Sequence, residues 1–163
     1  MKVLFCTDGS RISYHSIQNF SHWFKDFSID ILCAADWTFM PDNVAIDGSD
    51  FVNYCKNSAD SILEYSDKFL TELGLTVDNK IKMCGSTVDC ILETLNTNEY
   101  EYVVLGSHGK KGMQKWLGSV SQEIASSANI STYISKELNA RKKILFAIDT
   151  SDKCPKIIHN CLD

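Results

Sequence analysis

The chain has 163 residues, 44% of them hydrophobic and 23% charged, and carries a net charge of −5. That size suits one domain with a real core and leaves too little chain for two complete ones. The acidic balance excludes a sequence-independent nucleic-acid binder, which needs a basic surface. No apolar run of about 18 residues is present to span a membrane, and the apolar start at residues 3–6 is too short for a secretory signal.

Residues 3–6 read as a short buried strand that ends at Thr7-Asp8-Gly9-Ser10. Residues 13–27 read as a helix, because Ile17, Phe20, Phe24 and Phe27 recur at three- and four-residue spacing. The nearly continuous apolarity of residues 29–35 predicts a strand covered on both faces of its sheet. A connection over residues 36–53 follows, with Pro41 and Asp47-Gly48, a length that usually carries function or movement.

The clearest helical stripe is Cys55, Ala59, Ile62, Leu63, Ser66, Phe69, Leu70 and Leu73, with Gly74 at the position that stops a helix. Residues 76–84 predict a third strand. Gly85-Ser86 leads into a helix carrying Val88, Ile91, Leu92 and Leu95, with Ser86 or Thr87 as its N-cap. Residues 102–105 predict a fourth strand, 119–128 a fourth helix and 130–134 a more polar last strand. Strands alternating with helices predict an α/β fold: a doubly wound parallel sheet with helices on both faces and right-handed crossovers. Ligands of such sheets sit beyond the carboxyl ends of the strands. Asp8, the end of the second strand and residues 106–109 would share that edge.

Seven cysteines stand at 6, 33, 55, 84, 90, 154 and 161, with neither CxxC pairs nor Cys/His metal spacing. They read as small buried hydrophobes in a reducing, cytoplasmic compartment. A repeat closes the chain: Lys143-Ile-Leu-Phe-Ala-Ile-Asp-Thr-Ser151 echoes Lys2-Val-Leu-Phe-Cys-Thr-Asp-Gly-Ser10. The Asp and Ser beyond the strand are not needed for burial, so the echo reads as duplication. Its apolar run should seek a sheet edge or a partner chain.

The most informative stretch follows the fourth strand. Gly106-Ser-His-Gly109 is followed by Lys110, Lys111, Gly112 and Lys115, and then by Gly118-Ser-Val-Ser121. Glycines at 106, 109 and 112 permit positive φ and a close approach of backbone to a ligand. Gly118, Ser119 and the turn after them would offer free N–H groups and a positive helix end to an anion. The nearby lysines add positive charge in an acidic chain. The same pattern also suits a plain strand–loop–helix connection without a ligand. Asp8 could accept from a ribose hydroxyl or coordinate Mg²⁺ beside phosphates, or it could only shape an Asp-Gly turn. No Walker A lysine or nucleophile elbow occurs, and no nucleophile can be named beside His108.

Together these motifs resemble the universal stress protein family over residues 1–135. That family is an α/β fold with five parallel strands, and many members bind ATP through Gly-x2-Gly-x9-Gly-Ser/Thr. Gly106, Gly109 and Gly118-Ser119 match the ends of this pattern, across a spacer of eight residues, 110–117, where the pattern has nine. Thr7-Asp8-Gly9-Ser10 and Gly85-Ser-Thr-Val match as well. The family's last strand, usually Cys-Pro-Val-Leu-Val-Val, commonly pairs two domains; here it is Asn129-Ile-Ser-Thr-Tyr-Ile-Ser135.

The resemblance implies a set of nucleotide contacts. Thr7 and Asp8 would lie near the nucleotide and its metal, with Asp8 as the metal-side carboxylate. Ala34 would meet adenine through its backbone. Leu105, Gly106, His108 and Gly109 would contact ribose and phosphate, and Gly118, Ser119, Val120 and Ser121 the terminal phosphates. The implied ligands are ATP and Mg²⁺. The implied organisation is one domain over residues 1–138, followed at 139–163 by a linker and the start of a second repeat, with pairing as a homodimer or with that second domain. The expected function is a cytoplasmic stress-response or regulatory domain that binds an adenine nucleotide. A nucleotide-free dimerising module and a weak ATP hydrolase are the other readings.

Overall fold

A computed structural model of the chain describes residues 1–36, 48–109 and 117–136, with the single positions Leu145 and Ala147. Within 48–56 it describes the backbone and the side chain of Asn53 alone. The lysines at 110, 111 and 115, Gly112, Pro41, Cys154 and Cys161, the side chain of Cys55 and most of the 143–151 repeat lie outside the described residues. Leu145 and Ala147 belong to no strand and are exposed.

Among the described residues, five strands alternate with four helices. They are β1 (Lys2–Cys6), α1 (Arg11–Trp23), β2 (Ser28–Ala35), α2 (Gly48–Glu72), β3 (Val77–Cys84), α3 (Thr87–Thr97), β4 (Tyr102–Gly106), α4 (Ser119–Ser127) and β5 (Ser131–Ser135). Every pairing is parallel, in the order β3-β2-β1-β4-β5. The chain winds outward from β1 to β3, then crosses back and winds the other way through β4 and β5. The topological switch therefore lies between β1 and β4.

Alternation along the strands builds two cores, because successive side chains point to opposite faces. Val3 and Phe5 join Tyr14, Ile17 and Phe20 of α1 and Leu63 and Leu70 of α2 on one face. Leu4 and Cys6 join Ile91 of α3 and Ile124 of α4 on the other. Phe5, Phe20, Leu4 and Ile17 are completely buried, each stabilising the fold by roughly 1.5–3 kcal/mol through burial.

Three boundaries differ from the sequence reading by more than one residue. α1 starts two residues earlier, at Arg11, because the Ser10 side chain accepts from the Ser13 N–H and caps it. It ends at Trp23, not Phe27: Phe24 is extended and Asp26 takes φ 55°. Phe24 and Phe27 still reach Phe20, at ring distances of 4.4 and 5.2 Å, but from a turn. α2 begins at Gly48, so the long connection is shorter than residues 36–53; nothing after Gly48 in that stretch breaks a helix. Its end is as expected, with Leu75 N–H on the Leu70 carbonyl and Gly74 N–H on that of Thr71. Cys84 departs from the buried-thiol expectation: it is exposed, whereas Cys6, Cys33 and Cys90 are buried, and all four are free.

Candidate functional site

The carboxyl ends of β1 and β4 and the start of α4 converge at the topological switch. Past β1, the Thr7 N–H donates to the Leu32 carbonyl at 2.9 Å. The Thr7 hydroxyl shares a 2.8 Å hydrogen bond with Ser13 and accepts from the Gly9 N–H. Asp8 Oδ1 accepts from the Ser10 N–H at 3.0 Å. Gly9 has φ 73°, a conformation that favours glycine. This tight turn fixes Asp8 beside the loop from β4: a Cβ at Gly109 would stand 2.7 Å from Asp8 Oδ2.

On the β4 side the glycines provide room. Gly106 and Gly109 take no positive φ; the described glycines that do are 9, 74 and 85. A Cβ at Gly106 would meet the Ser13 nitrogen at 2.9 Å, so glycine lets α1 lie against the end of β4. One at Gly118 would crowd His108 Cα and the Ser107 oxygen at 3.2 Å. The Gly118 N–H donates to the Ser107 carbonyl at 2.7 Å, and the Ser121 hydroxyl to the Gly106 carbonyl at 2.7 Å. These two bonds seat α4 on β4.

Three helices have a described N-cap along this edge, and their first turns differ. Ser10 caps α1 and Ser86 caps α3, each with its side chain. α4 has Gly118 at its N-cap, no side-chain cap and no acidic residue in the first turn. The N–H groups of Ser119, Val120 and Ser121 have no acceptor within the helix. They carry the positive end of its dipole.

Each expected site residue has a definite place. Asp8 meets Gly109, Gly118 meets Ser107 and His108, and Ser121 meets Gly106. The His108 ring bonds the Ser107 hydroxyl through Nδ1 at 2.9 Å. Ser119 is exposed. Leu105 and Val120 send their side chains into the α3/α4 core. The Ser121 hydroxyl donates to the Gly106 carbonyl, a staple between β4 and α4 that the phosphate-binding expectation did not include. Ala34 stands apart, in β2 beside Met83 of β3.

The sequence reading missed Ser107, which lay in the motif as spacer, and Ser13. It also missed Asp36, whose Oδ2 accepts from the Thr87 hydroxyl at 3.1 Å where β2 meets α3. No pattern marks Ser107 or Asp36, because each acts through a partner distant in sequence.

Among the described residues no group of three or more His, Cys, Asp or Glu could hold a metal. Nor is any helix there long and apolar enough to cross a membrane.

The fold and site define an open α/β domain whose fourth helix starts without a side-chain cap at the topological switch. The chain belongs to the universal stress protein family, whose sequence profile matches residues 1–136. Solved structures share the fold. A universal stress protein from Archaeoglobus fulgidus DSM 4304 is 18% identical with a TM-score of 0.75, over 98% of this chain and 60% of that one. A family protein from Arabidopsis thaliana, solved with AMP bound, is 17% identical with a TM-score of 0.57, over 82% and 90%. A universal stress protein in complex with cAMP is 17% identical with a TM-score of 0.59, over 83% and 95%. A comparison with curated protein sequences gives no significant match.

Proposed function

We propose that this domain binds an adenine nucleotide, in the first place ATP, across the carboxyl ends of β1 and β4, and acts as a cytoplasmic regulatory domain. The observation that carries the reading is the uncapped first turn of α4 beside the Asp8–Gly109 contact. Phosphate oxygens would take the place of the missing cap, accepting from the N–H groups of residues 119–121. The AMP and cAMP complexes of family structures support adenosine as the common part of the ligand.

Mg²⁺ fits as an ion carried by the nucleotide. The protein offers it one carboxylate, Asp8, with phosphate oxygens and water completing the shell, the usual arrangement for this ion. Ala34 would meet the base through backbone groups, and His108 the ribose or a phosphate. Bound nucleotide would order the glycine loop in proportion to its differential affinity for the ordered state. Residues 1–138 form the proposed domain, and the repeat at 143–151 marks the start of a second one, as a pairing partner in the same chain or across a homodimer. The one-residue-shorter spacer favours a second reading, a dimerising module that binds no nucleotide.

Calorimetry of the full chain with ATP and Mg²⁺, AMP and cAMP separates the two. Micromolar binding is expected for at least one of them. Ser119→Glu should weaken it by more than about tenfold, since like charges placed together cost several kcal/mol, while the same carboxylate suits the helix dipole and preserves the fold. No heat with any ligand, at concentrations that detect micromolar binding, defeats the reading.

A further inference from the structure

Ser107 is completely buried, and its backbone joins three segments. Its N–H donates to the Ser135 carbonyl at the end of β5, at 2.9 Å. Its carbonyl accepts from Gly118 N–H at the start of α4, at 2.7 Å. From Ser135 the connection continues: its hydroxyl accepts from Asn19 Nδ2 of α1 at 2.6 Å. Asn19 is itself buried. Six residues earlier on the same helix, Ser13 bonds Thr7 beside Asp8. The bonds thus run from α4 through Ser107 and Ser135 to α1, and back to the β1 turn.

We propose that Ser107 couples occupation of the α4 anion site to the ordering of the end of β5, through Ser135 and Asn19. The physical reason is burial. Polar groups shielded from water must stay paired, and an interrupted bond there costs more than at the surface. If the start of α4 shifts, the Ser107 carbonyl loses its donor. Because each peptide unit is planar, the Gly106 carbonyl that accepts from the Ser121 hydroxyl of α4 turns together with the Ser107 N–H that holds Ser135. A ligand that fixes the first turn of α4 therefore tightens the last residue of β5. By reciprocity, anything that engages the end of β5 or Asn19 changes ligand affinity by the same factor. The identity of the ligand rests on the nucleotide reading above; the coupling does not.

The test uses amide hydrogen exchange on the full chain. Asn19→Ala and Ser135→Ala each remove the Asn19–Ser135 bond without touching the anion site, and Ser135→Thr keeps the hydroxyl. In both alanine variants the Gly118 amide should exchange at least about fivefold faster, with the β1 amides unchanged, and Ser135→Thr should match the wild type. Adding ATP with Mg²⁺ to the wild type should slow exchange at Ser107, less so in Ser135→Ala. A wild-type rate at Gly118 in both alanine variants overturns the coupling, as does a uniform loss of protection across the whole sheet. Faster exchange at Gly118 with no nucleotide bound by the wild type upholds the coupling and removes the nucleotide reading alone.

Discussion

The two ends of the sheet put similar residues to opposite uses. At the amino end, Asp30 of β2 is 2% exposed and fully engaged. Tyr100 donates to it at 2.6 Å and Asn79 at 2.8 Å, and Lys2 Nζ lies 3.2 Å away. Lys2 also stands over the Tyr100 ring. At the carboxyl end, Asp8 is half-buried against a glycine, and the neighbouring helix begins without a cap. One end consumes its polar groups in holding β1, β2, β3 and the α3–β4 connection together. The other leaves the first N–H groups of α4 without an acceptor in their helix. Stability and the proposed recognition thus fall at opposite ends, as the geometry of a doubly wound sheet allows.

The largest expected effect breaks the closed end. Asp30→Ala strands the Tyr100 hydroxyl and the Asn79 amide and should cost about 3 kcal/mol in urea denaturation, with nucleotide affinity unchanged. Acid sensitivity has the same source. Burial alone would raise the Asp30 carboxyl, but the bonds from Tyr100, Asn79 and Lys2 and the Lys2 charge outweigh it and hold it below its ordinary range. A carboxyl lowered in the folded state contributes stability that is complete above the unfolded pKa, about 3.9. That contribution is lost as pH falls towards the folded value. Asp30→Asn should therefore flatten the acid limb of a stability–pH curve and leave the neutral region level with pH.

A smaller effect sharpens the open end. Ser119→Asp should stabilise the fold by about 0.5 kcal/mol through the α4 dipole, while placing negative charge where an anion would sit. Thermal melting with and without ATP checks both halves, and a variant melting below the wild type contradicts the uncapped-helix argument. The smallest effect concerns thiols. Burial, with Cys33 nearby, pushes the Cys6 thiol far up. Burial first, and then Glu93 and Asp89, raise Cys90. Among the described cysteines, iodoacetamide should reach the exposed Cys84 first, as peptide mapping would show.

The fold was legible because the covering of the strands is written locally. Residues 29–35 read as a strand buried on both faces and form one, buried over 29–33, and Gly74 marks the end of α2. What escaped was set by distant partners. The helical spacing of Phe20, Phe24 and Phe27 is satisfied by a helix followed by a turn, since the rings need only a common cluster. Asp30 sits unremarked in an apolar strand, and its meaning depends on Tyr100, 70 residues away. At the candidate site the glycine positions were legible, but only half of their expected reason holds. Gly106 and Gly109 serve close approach, not backbone conformation, and the hydroxyl of Ser121 turns to Gly106.

The most direct test of the account compares the two ends in one titration. Backbone amide shifts of the ¹⁵N-labelled full chain are followed while ATP with Mg²⁺ is added. The account expects saturable shifts at Gly9, Gly109 and Ser119 to Ser121, with Lys2, Asp30, Asn79 and Tyr100 unmoved. Shifts confined to the amino end, or none anywhere at saturating nucleotide, would contradict it.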